Sequence, residues 1–233
     1  MGREERLEVL YEDNHIIAIN KKNNELVQGD NTGDEPLSER VKRYIKKKYN
    51  KPGDVYLGLP HRLDRPVSGV ILFARTSKAL TRLNAMFQER DEITKTYWAI
   101  VKKRPEIENG TISGYIAKDR EKNKSHMYEK EKKGAKFASL DYSLISRSQN
   151  YHLLKIDLHT GRHHQIRCQL AKIGCPIKGD LKYGYPRSNQ DGGISLHARE
   201  ISFIHPVKKE KITITANPPQ QDNLWREFTT QMK

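Results

Sequence analysis

The sequence contains only two cysteines, Cys168 and Cys175, and no apolar run that approaches the length of a membrane-spanning helix. The longest apolar stretches, at 70–74 and 97–101, fall far short of the roughly 20 residues that such a helix needs. Two cysteines support neither a disulfide framework nor a four-cysteine zinc site. The first residues contain no apolar signal-peptide core. We therefore expect a reduced, cytoplasmic protein with no membrane partner.

Apolar residues are also few, whereas positive charge is abundant. Hydrophobic residues make up 35% of the 233, and 43 Lys and Arg against 29 Asp and Glu give a formal net charge of +14. This excess on a folded chain indicates a polyanionic partner, nucleic acid first and an anionic membrane second. The apolar residues lie in compact, patterned runs, so the composition indicates a wide solvated face rather than disorder.

The residue patterns predict many strands and few helices, without regular strand–helix alternation. This favours an α+β domain with a largely antiparallel sheet. The charge-dense segment 118–133 has no periodicity and is predicted to be a flexible surface loop. Helices are expected at 37–49, 77–90 and 164–173, and strands at 7–11, 15–20, 70–74, 94–102, 111–117, 136–146, 151–158, 196–204 and 211–216.

Asp64 lies in a tight loop that precedes the predicted buried strand at 70–74. The charges of its neighbours Arg62 and Arg65 should hold the carboxylate ionised, ready to act as a nucleophile or a base. A salt-bridge loop at the surface would use the same residues, because ion-pair networks also perturb acids. The spacing alone leaves both interpretations open.

Arg162 and Arg167 lie where a turn leads into a short predicted helix. The first amides of a helix favour anions, and these arginines could bind phosphates or neutralise a catalytic carboxylate. A zinc site formed by His159, His163 and His164 is the competing interpretation, although no cysteine or carboxylate cluster accompanies these histidines.

Tyr97 and Trp98 lie on a predicted strand. Aromatic residues on strands normally belong to the core, but Tyr and Trp are also side chains on which unstacked bases lie. The basic runs at 46–48 and 130–133 are solvated charge by default, and they could add salt-dependent phosphate contacts.

Together these segments resemble the RluA family of RNA pseudouridine synthases. They occur in the family's order over residues 7–216: HRLDR at 61–65 with SG at 68–69, KTYWAIV at 95–101, GRHHQIR at 161–167 with GD at 179–180 and YG at 183–184, and LHA at 196–198. One departure is Pro66-Val67, where the family usually has an acidic or polar residue and then Thr, so that one loop hydrogen bond is expected to be lost. The resemblance implies a single catalytic domain over 1–233 with its core at 7–216, and no appended N-terminal RNA-binding module is expected.

The resemblance implies isomerisation of uridine to pseudouridine within RNA: the glycosidic bond is cut, the uracil turns, and a carbon–carbon bond forms. It implies that Asp64 is the essential aspartate, Tyr97 the residue that stacks on the flipped base, and Arg167 the partner of the aspartate. Whether the aspartate attacks the sugar, removes its 2′ proton or adds to the base stays open. The expected RNA-binding residues are His61, Arg62, Arg65, Arg162, His164, Gln165 and Leu196.

No cofactor and no metal is expected, because the reaction that the resemblance implies has no redox or hydrolytic step. The expected partner is a stem-loop of transfer RNA or ribosomal RNA, bound by a monomer. Two alternatives remain: a catalytically silent RNA-binding protein that uses the same basic cleft, and a metal-dependent nuclease. A metal-dependent nuclease would need a cluster of His or carboxylate residues at ligand spacing, which this sequence lacks. The silent binder would need no carboxylate in its cleft.

Overall fold

The computed structural model describes residues 7–29, 33–89 and 92–232, and these form one mixed sheet with four α-helices. Arg90, the predicted last residue of the second helix, lies outside the described residues. The helices are α1 Leu37–Lys48, α2 Ser77–Glu89, α3 Gln165–Lys172 and α4 Asn223–Gln231. The strands are β1 Val9–Glu12, β2 Ile16–Lys21, β3 Ser68–Ala74, β4 Ile93–Val101, β5 Asn109–Asp119, β6 Lys124–Tyr128, β7 Lys136–Arg147, β8 His152–Leu158, β9 Leu196–Ile204 and β10 Lys211–Thr215.

The strands lie in the order β1-β2-β3-β9-β4-β8-β7-β5-β6, and β10 pairs with β9. The pairing of β3 with β9 is parallel, and the other pairings between these strands are antiparallel. The predicted α+β fold with a largely antiparallel sheet is thus confirmed. Every residue of β3 is buried, as expected of a central strand covered on both faces. Within the described ranges, no helix is long and apolar enough to cross a membrane.

Successive residues of β2 and β3 belong to two different apolar clusters, one on each face of the sheet. On one face, α1 packs through Leu37, Val41 and Ile45, which recur every fourth residue, while its lysines stay in solvent. Helix α3 packs on this same cluster through Ile166 and Leu170. Helix α2 covers the opposite face. The first face, between α3 and the loop that precedes β3, holds the candidate site.

The prediction of a flexible loop at 118–133 is wrong, because this segment contains the end of β5 and all of β6. These strands form an antiparallel hairpin, with Tyr115 opposite Tyr128 and Ala117 opposite His126. The inward residues of β6 are Ser125 and Met127. Ser125 is held by polar contacts rather than by apolar burial, so the strand carries almost no hydrophobic signal.

The core also extends beyond its predicted limit at residue 216. Asp222 caps α4 by accepting hydrogen bonds from the Leu224 and Trp225 amides at 2.8 and 3.1 Å. Trp225 and Phe228 then pack against three side chains of the sheet: Trp98, Ile100 and Leu153. Trp98 is therefore a core aromatic, whereas Tyr97, its neighbour on β4, points to the other face.

Candidate active site

A cleft of about 400 Å³ opens on the face of the sheet that carries α3. Nine of the ten residues predicted as site residues line it: His61, Arg62, Asp64, Tyr97, Arg162, His164, Gln165, Arg167 and Leu196. The exception is Arg65, which is exposed and forms an ion pair with Asp34 at 2.6 Å. Arg65 therefore does not neutralise Asp64, contrary to the expectation from its position in the sequence.

Asp64 and Arg167 meet inside this cleft. Arg167 Nη1 lies 3.3 Å from Asp64 Oδ2. The same guanidinium donates from Nε and Nη2 to the two carboxylate oxygens of Asp180, at 2.7 and 2.9 Å. Burial opposes the positive charge, but the hydrogen bonds to Asp180 and Asp64 outweigh it and raise the pKa of Arg167. Arg167 is thus a fixed cation shared by two carboxylates, of which Asp180 is buried and Asp64 faces the cleft.

A buried histidine forms the second contact of Asp64. His164 Nε2 lies 3.5 Å from Asp64 Oδ2, and His164 Nδ1 lies 3.0 Å from the Tyr183 hydroxyl. The backbone amide of Ser125 in β6 donates to that same hydroxyl at 2.7 Å. Burial, together with the charge of Arg167, lowers the pKa of His164 to about 2, so its ring is neutral near pH 7.

The buried side chain of Lys21 holds the loop that carries Asp64 through hydrogen bonds to its backbone. The Lys21 ammonium is fully buried at the end of β2 and donates to the backbone oxygens of Arg65 and Lys22 at 3.0 and 2.9 Å. Burial lowers the pKa of Lys21 to about 7. At Pro66-Val67, where the sequence departs from the family pattern, the Val67 amide donates to the backbone carbonyl oxygen of Asp64 at 3.0 Å. A hydrogen bond between backbone groups therefore closes this turn.

Tyr97 projects from β4 into the cleft and packs against the apolar cluster beneath it. Burial raises the pKa of its phenol, and the negative charge of Asp64 raises it further. The hydroxyl therefore stays protonated near neutral pH. Its ring and the Asp64 carboxylate line the same cleft.

Two of the predicted RNA-binding residues are occupied by contacts within the protein. His61 Nε2 accepts the Leu72 amide at 3.0 Å and its ring stacks on Phe87, while burial lowers the pKa of His61 to about 3. Gln165 accepts hydrogen bonds from Thr160 and from the Arg162 amide, at 2.7 and 3.0 Å. Both residues hold the walls of the cleft in place.

Three further predicted contacts, Arg62, Arg162 and Leu196, line the cleft with different degrees of exposure. Arg62 is exposed at its mouth, and Arg162 is partly exposed while its Nε donates to the Phe137 oxygen at 2.9 Å. Leu196, at the start of β9, is buried and supplies an apolar wall.

The zinc interpretation gains no support from the geometry. His159 Nε2 pairs with Asp141 at 2.7 Å, on the surface of the sheet. His163 and His164 stack with ring centroids 3.8 Å apart. Among the residues that the structure describes, no three His, Cys, Asp or Glu side chains are grouped to hold a metal. Cys168 is buried, and burial raises its thiol pKa to about 11.

Sequence reasoning assigned no role to Asp180, Tyr183 or Lys21. For Asp180 and Tyr183 the signal was present, because both lie in the GD and YG pairs of the third resembling segment. Lys21 offered no signal, since it is followed by a second lysine and lies just after the predicted strand at 15–20.

Known proteins resemble this chain in sequence and in fold. The model of the RNA pseudouridylate synthase family matches residues 15–172. An uncharacterised RNA pseudouridine synthase of Synechocystis is 33% identical over 219 residues, which are 91% of this chain and 66% of that protein. The tRNA pseudouridine synthase C of Haemophilus influenzae is 29% identical over 243 residues, 97% of each chain.

A ribosomal large subunit pseudouridine synthase D, from Zymomonas mobilis, is 28% identical over 94% of this chain and 71% of its own. Among solved structures, human RNA pseudouridylate synthase domain containing 4 shares the fold. It superposes with a TM-score of 0.76 at 23% identity, over 92% of this chain and 89% of its own.

Proposed function

We propose how this chain uses its cleft from one premise: it belongs to the RNA pseudouridylate synthase family. It is an RNA pseudouridine synthase, an isomerase that converts uridine in RNA to pseudouridine. The assignment of the site rests on one observation, the pair formed by Asp64 and Arg167 at 3.3 Å inside a cleft that Tyr97 also lines.

Asp64 is the reactive carboxylate in this proposal. Arg167 neutralises part of its charge and keeps one oxygen oriented, which leaves the other oxygen directed at the substrate. Asp180 fixes the Arg167 guanidinium through two hydrogen bonds. The pair of Asp64 and Arg167 is therefore ordered before the substrate binds. The free oxygen of Asp64 can attack the sugar, remove its 2′ proton or add to the base.

Tyr97 supplies the face on which the uracil stacks. A uridine within a stem must leave its helix to reach Asp64, at a cost of a few kcal/mol that stacking and pocket contacts offset. The detached uracil must then be kept from water, and Leu196 and Tyr97 provide the apolar walls that do this. Since the phenol stays protonated, its ring rather than a phenolate takes part.

Structured RNA, a stem-loop of transfer RNA or ribosomal RNA, is the proposed substrate. Relatives named for each of these RNAs align with almost the whole chain. The excess of Lys and Arg suits either polyanion. We also propose that the chain acts without metal or cofactor, because the isomerisation needs neither an electron carrier nor a hydrolytic water. A monomer and a cytoplasmic location stay predictions.

The test uses RNA that carries tritium at carbon 5 of uracil. Isomerisation moves the glycosidic bond to that carbon and releases the tritium to water. We expect release with the intact chain and a loss of at least about a thousandfold with Asp64→Asn. RNA binding should persist in this variant, because removing a negative charge makes the cleft more positive.

Asp141→Asn is the matched control, since Asp141 is an aspartate outside the cleft. It should release tritium at the rate of the unmodified chain. Turnover by Asp64→Asn close to that of this control would remove Asp64 from the mechanism. Binding without tritium release by the unmodified chain, across total transfer RNA and ribosomal RNA, would favour the silent binder.

A further inference from the structure

We propose that Tyr183 and His164 form a relay that positions Asp64, with the backbone of β6 as its first donor. The relay runs from the Ser125 amide to the Tyr183 hydroxyl, then to His164 Nδ1, and from His164 Nε2 to Asp64 Oδ2. It rests on the proposed role of Asp64. It makes Tyr183 and His164 positioning residues, not groups that touch the RNA.

The direction of the relay follows from the donors. The Ser125 amide can only donate, so it occupies a lone pair of the Tyr183 oxygen. Among the described residues, that oxygen has His164 Nδ1 as its one remaining hydrogen-bond partner. The phenol proton therefore points to Nδ1, since it would otherwise be buried without an acceptor.

The consequence lies on the other nitrogen of the ring. A neutral imidazole that accepts at Nδ1 carries its proton at Nε2. That proton faces Asp64 Oδ2 at 3.5 Å, beside the Nη1 of Arg167 at 3.3 Å. Two N–H groups thus face one carboxylate oxygen, that of Arg167 as a hydrogen-bond donor and that of His164 at a longer distance. The opposite tautomer would turn a lone pair toward the carboxylate and repel it.

An RNA-binding role for His164, expected from the sequence, fits this geometry poorly. The side chain is only 6% exposed, its Nδ1 is hydrogen-bonded to Tyr183, and its Nε2 faces Asp64. His164 also has a left-handed backbone, with φ 51°, which directs the ring inward at the start of α3. The left-handed conformation is costly for a residue other than glycine, so it persists only where surrounding contacts stabilise it, here the contacts of the His164 ring.

The relay also links the catalytic loop to the hairpin of β5 and β6. The segment 118–136, which contains the tip of this hairpin and the turn that follows it, carries eight Lys or Arg against four Asp or Glu. Ser125 Oγ donates to the His163 backbone oxygen at 2.7 Å, and the Ser125 amide donates to the Tyr183 hydroxyl, so β6 is joined both to the chain just before α3 and to the turn after it. A displacement of β6 would therefore reach Asp64 through two hydrogen bonds and the contact of His164 Nε2 with the carboxylate.

Tyr183→Phe tests the relay because it removes one hydroxyl and keeps the ring under Arg167. We expect the kcat for tritium release to fall between about tenfold and a hundredfold, while the KM for RNA stays within about twofold. Tyr185→Phe is the matched control: it loses a phenol hydroxyl two residues away, where the contact is with Tyr151 and not with the site. The control should keep both constants.

The protonation of His164 gives a readout that does not depend on RNA. In the chain labelled with ¹⁵N histidine, we expect His164 to show a protonated Nε2 and an unprotonated Nδ1. Tyr183→Phe should shift His164 toward the opposite tautomer or a mixture of the two, and Tyr185→Phe should leave it unchanged. A protonated Nδ1 in the unmodified chain would overturn the relay even if Asp64 proves essential.

His164→Gln and His164→Leu provide the second pair, should Tyr183→Phe fail to fold. The glutamine amide can accept from Tyr183 and donate to Asp64, whereas leucine can do neither. We expect Gln to retain at least about tenfold more kcat than Leu at similar KM. Equal kcat for the two variants, or a defect of both in KM alone, would contradict positioning and restore His164 as an RNA contact.

Discussion

At the scale of single residues, Tyr97 separates what an aromatic ring contributes from what its hydroxyl contributes. We expect Tyr97→Phe to keep the KM for RNA within about threefold, whereas Tyr97→Ala should raise it about tenfold because a stacked base is lost. Tritium release at varied RNA concentration gives both values. An equal rise in KM for Phe and Ala would show that the hydroxyl, not the ring, holds the base.

Lys21 makes the stability of the fold depend on pH. Its pKa of about 7 in the folded chain lies below the ordinary 10.5 of the unfolded chain. Between these values the unfolded chain binds more protons, so the contribution of Lys21 to the unfolding free energy becomes more favourable as the pH rises. The stability of the unmodified chain relative to Lys21→Met should therefore increase above pH 7, by up to about 1.4 kcal/mol per pH unit.

Denaturant unfolding of both proteins at pH 7 and pH 9 measures this difference. Lys22→Met serves as the control, because Lys22 is an exposed neighbour of the same charge. Its stability should run parallel to that of the unmodified chain at the two pH values. A parallel course for Lys21→Met as well would mean that the buried amine does not titrate in this range.

At the scale of elements, α4 packs on the face of the sheet opposite the cleft and stabilises it. Trp225 is buried against Trp98 and Ile100. Trp225→Ala should lower the unfolding free energy by about 3–5 kcal/mol, since it leaves a large cavity. Glu227→Ala, on the exposed face of the same helix, should change it by less than about 0.5 kcal/mol. A small effect of Trp225→Ala would show that α4 is not part of the cooperative fold.

The elements that the sequence predicted are those whose apolar residues recur regularly. The stripe Leu37, Val41 and Ile45 identifies α1, and the unbroken apolar run of β3 identifies the central strand. Strand β6 was not predicted, because its buried residue Ser125 is held by polar partners that are remote in sequence and not by an apolar pattern. The pairing of Asp64 with Arg167 was expected from the resemblance, whereas the support by Asp180 depends on a chain reversal after α3 that no periodicity reveals.

At the scale of the whole molecule, the net charge of +14 should dominate encounters with RNA. We expect RNA affinity to fall at least about tenfold between 50 and 200 mM salt, because bound phosphates release counterions. The rate of tritium release at saturating RNA should change far less, since the Asp64 and Arg167 pair lies inside the cleft. Equilibrium binding at several salt concentrations checks this. A flat response would contradict a phosphate-driven association.

The double grip of Asp180 on Arg167 has a practical consequence for finding the natural target. A chain with Asp64→Asn still has its guanidinium anchored at two points, so the slot for the uracil should keep its shape when the reaction is disabled. Such a chain becomes a bait that engages its nucleotide without releasing product. Crosslinking it inside cells and sequencing what it retains would reveal the modified RNA and the position of the uridine within it.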